Sequence, residues 1–139
     1  MWTQHDIFVA TLRRYHGVPY VWSGGHQGKP YPEAGGVDCS GLIRLALIDA
    51  RVRLPAWDSN SQGMYVEFEK CTEPGVGVLA FFAKPGSMIS HVEPIVGMVD
   101  GQWVCLGARG SMKSVCYTRL HDPRPFVELY GFANPFKEF

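Results

Sequence analysis

Asp38-Cys39-Ser40-Gly41, running directly into Leu42-Ile43-Arg44-Leu45-Ala46-Leu47, puts one cysteine at the entrance of an apolar helix. The first amides of a helix have no intrahelical acceptor and carry partial positive charge, so a thiolate is favoured there. The small hydroxyl residue and the glycine that follow let a substrate carbonyl come close to the backbone. The stretch reads as the nucleophile of a cysteine hydrolase, seated on a core helix over residues 39–50. Such chemistry requires a base elsewhere in the chain.

Working outward, Thr3 is a candidate N-cap, followed by Ile7, Phe8, Val9, Leu12 and Tyr15 at helical spacing and by Gly17 as a stop. This predicts a first helix over residues 3–16. Val18-Pro19-Tyr20-Val21-Trp22 is extended, and residues 23–36 form a Gly/Pro-rich loop. Ser59-Asn60-Ser61-Gln62 opens a third, shorter helix towards Lys70. After Pro74-Gly75 the pattern turns to strands. Residues 77–83 are a continuous apolar run of buried-strand length, and residues 90–99 and 102–108 form a hairpin around Asp100-Gly101. Residues 115–118 and 126–132 add two more strands. Helices first and an antiparallel sheet afterwards is an α+β layout.

The bulk numbers agree. A chain of 139 residues fits one domain, over residues 1–139, with a core that needs no disulfides. Its 13 basic and 13 acidic side chains cancel, which excludes the basic footprint of a nucleic-acid binder. The 16 Gly and 10 Pro favour a loop-rich domain over a helical bundle. Cys39, Cys71, Cys105 and Cys116 show no C-x-x-C spacing and no histidine neighbours that suggest zinc, so reduced thiols are expected, the last three as packing residues. The segment Met1-Trp2-Thr3-Gln4-His5-Asp6 lacks the basic and apolar regions of a signal peptide, and no run has the length of a membrane span. The expectation is synthesis in the cytoplasm without membrane insertion.

Five histidines compete for the role of base. His5 and His16 flank the first helix, His26 lies in the glycine loop where it can border a cleft, and His121 stands beside Asp122 in a Pro-rich turn. His91 differs, because Ser90-His91-Val92 opens a strand just after a buried one, and a strand holds an imidazole firmly. A satisfied structural histidine is the alternative at that position.

The segments Gly17-Val18-Pro19-Tyr20-Val21-Trp22-Ser23-Gly24-Gly25 and Val37-Asp38-Cys39-Ser40-Gly41-Leu42-Ile43 resemble the G-x-P-Y-x-W-G-G … D-C-S-G-L-V signature of NlpC-type cell-wall cysteine peptidases. Further blocks resemble that family in the same order: Ser59-Asn60-Ser61-Gln62, residues 75–82, Ser90-His91-Val92, and Ala108-Arg109-Gly110-Ser111 of phage-type members. The resemblance implies a papain-like α+β fold, N-terminal helices packed on an antiparallel sheet of five to six strands. It implies Cys39 as nucleophile and His91 as base, with no metal or cofactor. The implied substrate is the peptidoglycan stem peptide, cleaved most often between γ-D-glutamate and a diamino acid. Tyr20, Asp38 and Ser40 would line the substrate side of the cleft, although Tyr20 also reads as core and Asp38 as a helix cap. The implied setting is a phage enzyme, tail-associated with tail proteins as partners or lytic, acting in the periplasm or cell wall. A type VI secretion effector and an inactive structural or binding module of a tail are the alternatives.

Two departures from the family pattern stand out. Residues 26–33 are an insertion between the tyrosine and the cysteine. The third catalytic position, usually a polar residue on the strand after the histidine strand, falls on Gly107, while the glycine usual two residues after the histidine is Glu93. If Val99-Asp100-Gly101 is a three-residue turn, Met98 pairs with Gln102, and Glu93 stands opposite Gly107 on the face of His91. The glycine and the polar group have then exchanged strands, and Glu93 accepts the imidazole N–H. A solvated Glu93, with water or a backbone carbonyl orienting His91, is the other reading.

Overall fold

Capping chemistry sets the three helices of the computed structural model, which describes residues 1–54 and 58–136. Thr3 and Asp6 form a reciprocal capping box at the start of α1 (Gln4–Arg14), which closes through Tyr15. Asp38 caps α2 (Cys39–Asp49), its Oδ1 accepting the Gly41 amide at 2.7 Å. Asn60 caps α3 (Ser61–Glu67) in the same way. The third helix stops at Glu67 rather than continuing to Lys70, because the chain turns into an unpredicted three-residue strand, β1 (Glu69–Cys71).

The remaining strands are β2 (Leu79–Ala83), β3 (Ile89–Val99), β4 (Gln102–Arg109), β5 (Ser114–Arg119) and β6 (Glu128–Asn134). They pair antiparallel in the order β1-β6-β2-β3-β4-β5. The expected α+β fold, three helices and an antiparallel sheet, is what the chain adopts.

Every residue of β2 is buried because the sheet is covered on both faces. Leu79 and Phe81 join Phe8, Leu12, Leu42, Ile43 and Leu47 from the helices in the main core. Ala80 and Phe82 point the other way, into a second core with Ile95, Cys105 and Leu120. Each large side chain fully buried here contributes on the order of 2 kcal/mol, so α2 is fixed to the sheet firmly enough to hold a reactive group at its start. Among the described residues, no helix is long and apolar enough to cross a membrane.

Asp100 and Gly101 both have positive φ, 51° and 75°, and form a two-residue turn with Val99 opposite Gln102. The three-residue turn expected from the sequence is therefore not there. The extra residue sits further along β3, where the register shifts between Ile95 and Gly97 and bulges the strand at Val96. Beyond the bulge Ile95 pairs with Cys105, and that register carried on sets Glu93 against Gly107. The Glu93 side chain does lie against Gly107, because the same one-residue offset is made at a different place.

Candidate active site

Cys39 is the first residue of α2 and is only 9 % exposed. The helix start is held in place by the loop in front of it. A Cβ on Gly41 would fall 2.0 Å from the Gly24 carbonyl oxygen, so only glycine lets the 23–36 loop lie directly on the first turn of α2. The cleft beside the thiol has a volume of about 730 Å³ and takes its walls from this loop, from Tyr20, and from the start of β3.

His91 stands on β3, and the Cys39 thiol is among the groups that act on its imidazole. Its Nε2 lies 2.7 Å from Glu93 Oε2, which leaves the other ring nitrogen for the thiol. Burial works against the imidazolium, but the hydrogen bonds and charges of Cys39 and Glu93 outweigh it and hold the His91 pKa at about 9. Phe82, paired with His91 across the β2–β3 ladder, lays its ring 5.7 Å from the imidazole and limits its motion.

Glu93 is fully buried. A side chain at residue 107 would put its Cβ 2.6 Å from Glu93 Cγ, so the carboxylate arm lies in the volume that Gly107 leaves empty. Arg124 grips the carboxylate with two hydrogen bonds, Nε to Oε2 at 2.9 Å and Nη2 to Oε1 at 3.0 Å. Arg109 Nε stands 3.9 Å from Oε2. Burial alone would raise the Glu93 pKa; hydrogen bonds from His91 and Arg124, with their charges, bring it down to about 2. Glu93 is thus not the solvated residue of the alternative reading.

Arg124 was not anticipated. It sits in Pro123-Arg124-Pro125, a turn that reads as solvated, yet it is buried and reaches a carboxylate 31 residues away. Its guanidinium also donates to the Leu120 and Asp122 carbonyls and stacks over Phe82 at 4.3 Å. An arginine isolated between prolines, in a turn whose one acidic residue is Asp122, was the only local signal.

The substrate-side residues are also assembled. Tyr20 is half-buried at the cleft, its phenol pushed up to about 12 by burial and by the nearby Cys39 and Asp38, and therefore a hydrogen-bond donor at neutral pH. Asp38 and Ser40 both line the cleft, and Asp38 is a helix cap as well, so its two readings are compatible. His26, from the inserted loop, does border this cleft, together with Asp58, which sequence reading missed. A second depression of about 330 Å³ adjoins His91, lined by Arg109, Gly110, Ser111 and Phe126. Cys39 lines the first depression and His91 the second. Cys105, expected as a packing residue, is buried under the sheet, and burial and then the Glu93 charge push its thiol up to about 12. Among the described residues no cluster of His, Cys, Asp and Glu has the makings of a metal site.

A fold with two buried cores around one sheet, and a thiol paired to an imidazole at a helix start, are features of a definable class. The chain belongs to the NlpC/P60 family, whose model matches residues 17–122. It is 34% identical over 95 residues to the bifunctional muramidase/DL-endopeptidase CwlT of Bacillus subtilis (strain 168), a match covering 67% of this chain and 27% of that protein's length. An NlpC/P60 family protein from Bacillus cereus ATCC 10987 superposes with a TM-score of 0.77 at 21% identity, over 96% of this chain and 40% of that one. RipD from Mycobacterium tuberculosis, a non-catalytic NlpC/p60 domain protein adapted to peptidoglycan binding, superposes with a TM-score of 0.71 at 22% identity, over 96% of this chain and 98% of that one.

Proposed function

We propose that this chain is a peptidoglycan peptidase that cleaves an amide bond of the stem peptide, between γ-D-glutamate and a diamino acid, with Cys39 as nucleophile. The observation that carries the reading is His91 held by the buried Glu93, itself gripped by Arg124, with the Cys39 thiol that acts on His91 lining the cleft. Relatives of this fold include both a DL-endopeptidase and a non-catalytic binder, so the side chains, and not the fold, favour catalysis. A binding module has no use for a buried carboxylate that orients an imidazole towards a thiol.

In this mechanism the proton shared by Cys39 and His91 rests on the imidazole, and the thiolate sulfur attacks the amide carbonyl. Asp38 already occupies the Gly41 amide, which leaves the Cys39 and Ser40 amides and the Tyr20 hydroxyl as donors to the oxyanion. The imidazolium protonates the departing amine, the C–N bond breaks, and a thioester remains. Water, deprotonated by His91, attacks the thioester and releases the carboxylate product and the thiol. Glu93 keeps one ring nitrogen engaged throughout and balances the imidazolium. The setting proposed with this chemistry is a phage murein peptidase, tail-borne or lytic, acting at the cell wall; a type VI effector shares the reaction and differs in its neighbouring genes.

The test is mass spectrometry of the fragments released from purified peptidoglycan. The wild type is expected to generate new γ-D-glutamyl termini and Cys39→Ala none, with unchanged circular dichroism. Release by Cys39→Ala at the wild-type rate, or activity insensitive to thiol alkylation, overturns the reading.

A further inference from the structure

The charges on the two sides of the site do not balance alike. On the first depression the His26 ring lies between two carboxylates. Its Nε2 is 2.9 Å from Asp38 Oδ1 and 3.0 Å from Ser40 Oγ, and its Nδ1 is 2.5 Å from Asp58 Oδ1. The Asp38 hydrogen bond first, against the cost of burial, and then Asp58 hold its pKa at about 9. Arg44, with Nε 3.4 Å from the same Asp58 oxygen, is a second cation. These two cations meet these two anions, and the network closes on itself.

The depression beside His91 is left with a surplus. Cys39 and His91 share one proton and are neutral as a pair, so Glu93 faces two guanidiniums alone. Arg124 takes up both of its oxygens. Arg109 comes no nearer than 3.9 Å, and among the described residues it donates only to the uncharged Thr118 hydroxyl, from Nη1 at 2.9 Å. A guanidinium cannot lose its charge, and this one is 9 % exposed without a carboxylate bonded to it. Every fully buried side-chain nitrogen and oxygen among the described residues has a partner; the Arg109 Nη2 has none there and so keeps open surface. Arg109 lines the depression with His91, Ser111 and Arg124, and no acidic side chain among the described residues does.

The reaction itself brings one half of the substrate here. The amide nitrogen that departs takes its proton from His91, so the half attached to it lies on the His91 side, while the acyl half stays bonded to Cys39. Tyr20 on the first depression stands beside Gly110 on the second, where an added Cβ would lie 3.6 Å from its ring, so the two depressions adjoin.

We infer that the depression beside His91 binds a carboxylate carried by the leaving half of the substrate, and that Arg109 is the residue that recognises it; this rests on the peptidase reading above. A carboxylate supplies the anion Arg109 lacks and matches the fork of a guanidinium. A carboxamide of the same shape turns N–H groups towards a donor and leaves the charge unpaired, so it is rejected. A leaving diamino acid has two places for such a group, its α-carboxylate and a second carboxylate at the far end of its side chain.

The experiment uses three synthetic peptides with one acyl half ending in γ-D-glutamate, and purified peptidoglycan digested in parallel at pH 7. Their leaving residues are lysine with a free α-carboxylate, lysine α-carboxamide, and meso-diaminopimelate with its α-carboxyl as the carboxamide and its distal carboxylate free. The wild type is expected to favour at least one carboxylate peptide over the lysine carboxamide by tenfold or more in kcat/KM, mostly through KM. Preference for the first places the α-carboxylate in the depression, and preference for the third places the side-chain one. Arg109→Gln is expected to bring that ratio below about twofold, whatever it does to the rates themselves, and Arg109→Lys, which keeps the charge, to retain part of it. Wild-type ratios under threefold for both carboxylate peptides overturn the inference, and so does an Arg109→Gln variant that slows all three peptides by one factor. Digestion of peptidoglycan without turnover of either carboxylate peptide also overturns it, and in each of these cases the peptidase reading stands. A wild type that cleaves neither the peptides nor peptidoglycan overturns the peptidase reading and this inference with it. The wild-type ratios need no variant to fold.

Discussion

Glu93 and Gly107 make one unit, since the glycine is the space the glutamate occupies. Glu93→Gln keeps the shape and removes the charge that helps hold the His91 pKa at about 9. Its kcat is expected to fall about a hundredfold, and the alkaline limb of its pH–rate profile to move to lower pH, because a smaller opposing charge lets the imidazolium deprotonate sooner. A profile with an unmoved limb would show that Glu93 does not act through His91. Gly107→Ala is expected to cost about 1–3 kcal/mol of stability through overpacking and to lower kcat more than it changes KM, since Glu93 must swing away from His91. Thermal melts and steady-state kinetics on the same preparation check both parts. The exchange of the two residues was legible in the sequence, because it needs only a period of two along β3 and a hairpin offset. Arg124 was not, because its contact with Glu93 exists only once residues 120–127 have folded back over the sheet.

Among the elements, β3 bears most of the site, and its bulge shows how local rules can give a right pairing by a wrong route. Asp100-Gly101 accommodates two positive φ values, which suits the twist of a tight hairpin, and the surplus residue is then absorbed at Val96. Nothing in Ile95-Val96-Gly97 marks a bulge beforehand except the glycine that follows it. The short β1 was illegible for another reason: Glu69-Lys70-Cys71 has no apolar alternation and is a strand only because β6 lies beside it. By contrast α1, α2 and the hairpin depend on caps and turn residues a few positions apart, and these were readable. The segment after β5 is held by Arg124 together with Leu120 and Val127, which pack in the second core. Arg124→Met leaves Glu93 buried beside His91 with half its partners gone, and is expected to cost about 3–5 kcal/mol. Urea denaturation, followed by tryptophan fluorescence, gives the figure.

At the scale of the whole molecule, the buried ion pairs set a window of pH. His26 and His91 titrate near 9 when folded and near 6.5 otherwise, so their stabilisation is complete below pH 6.5 and is lost as pH rises through 9. Glu93 works in the opposite sense: lowered from 4.5 to about 2, its contribution is present above pH 4.5 and is lost as pH falls towards 2. The urea midpoint is expected to be highest between about pH 4.5 and 6.5. It should decline on the alkaline side in two coincident steps, of which His26→Gln removes one.

The two sides of the site are anchored unequally. His91 and Glu93 hang from the half of β3 that pairs with β2, itself held on its other side by β6, whereas the loop resting on Cys39 is held by turn hydrogen bonds and by the side chains of His26, Asp58 and Arg44. Backbone amides of β3 are therefore expected to exchange with deuterium only on global opening, and those of residues 23–36 through smaller, more frequent excursions. Turnover on warming would then fade before the sheet melts, as the nucleophile loses its surroundings while the base keeps its own.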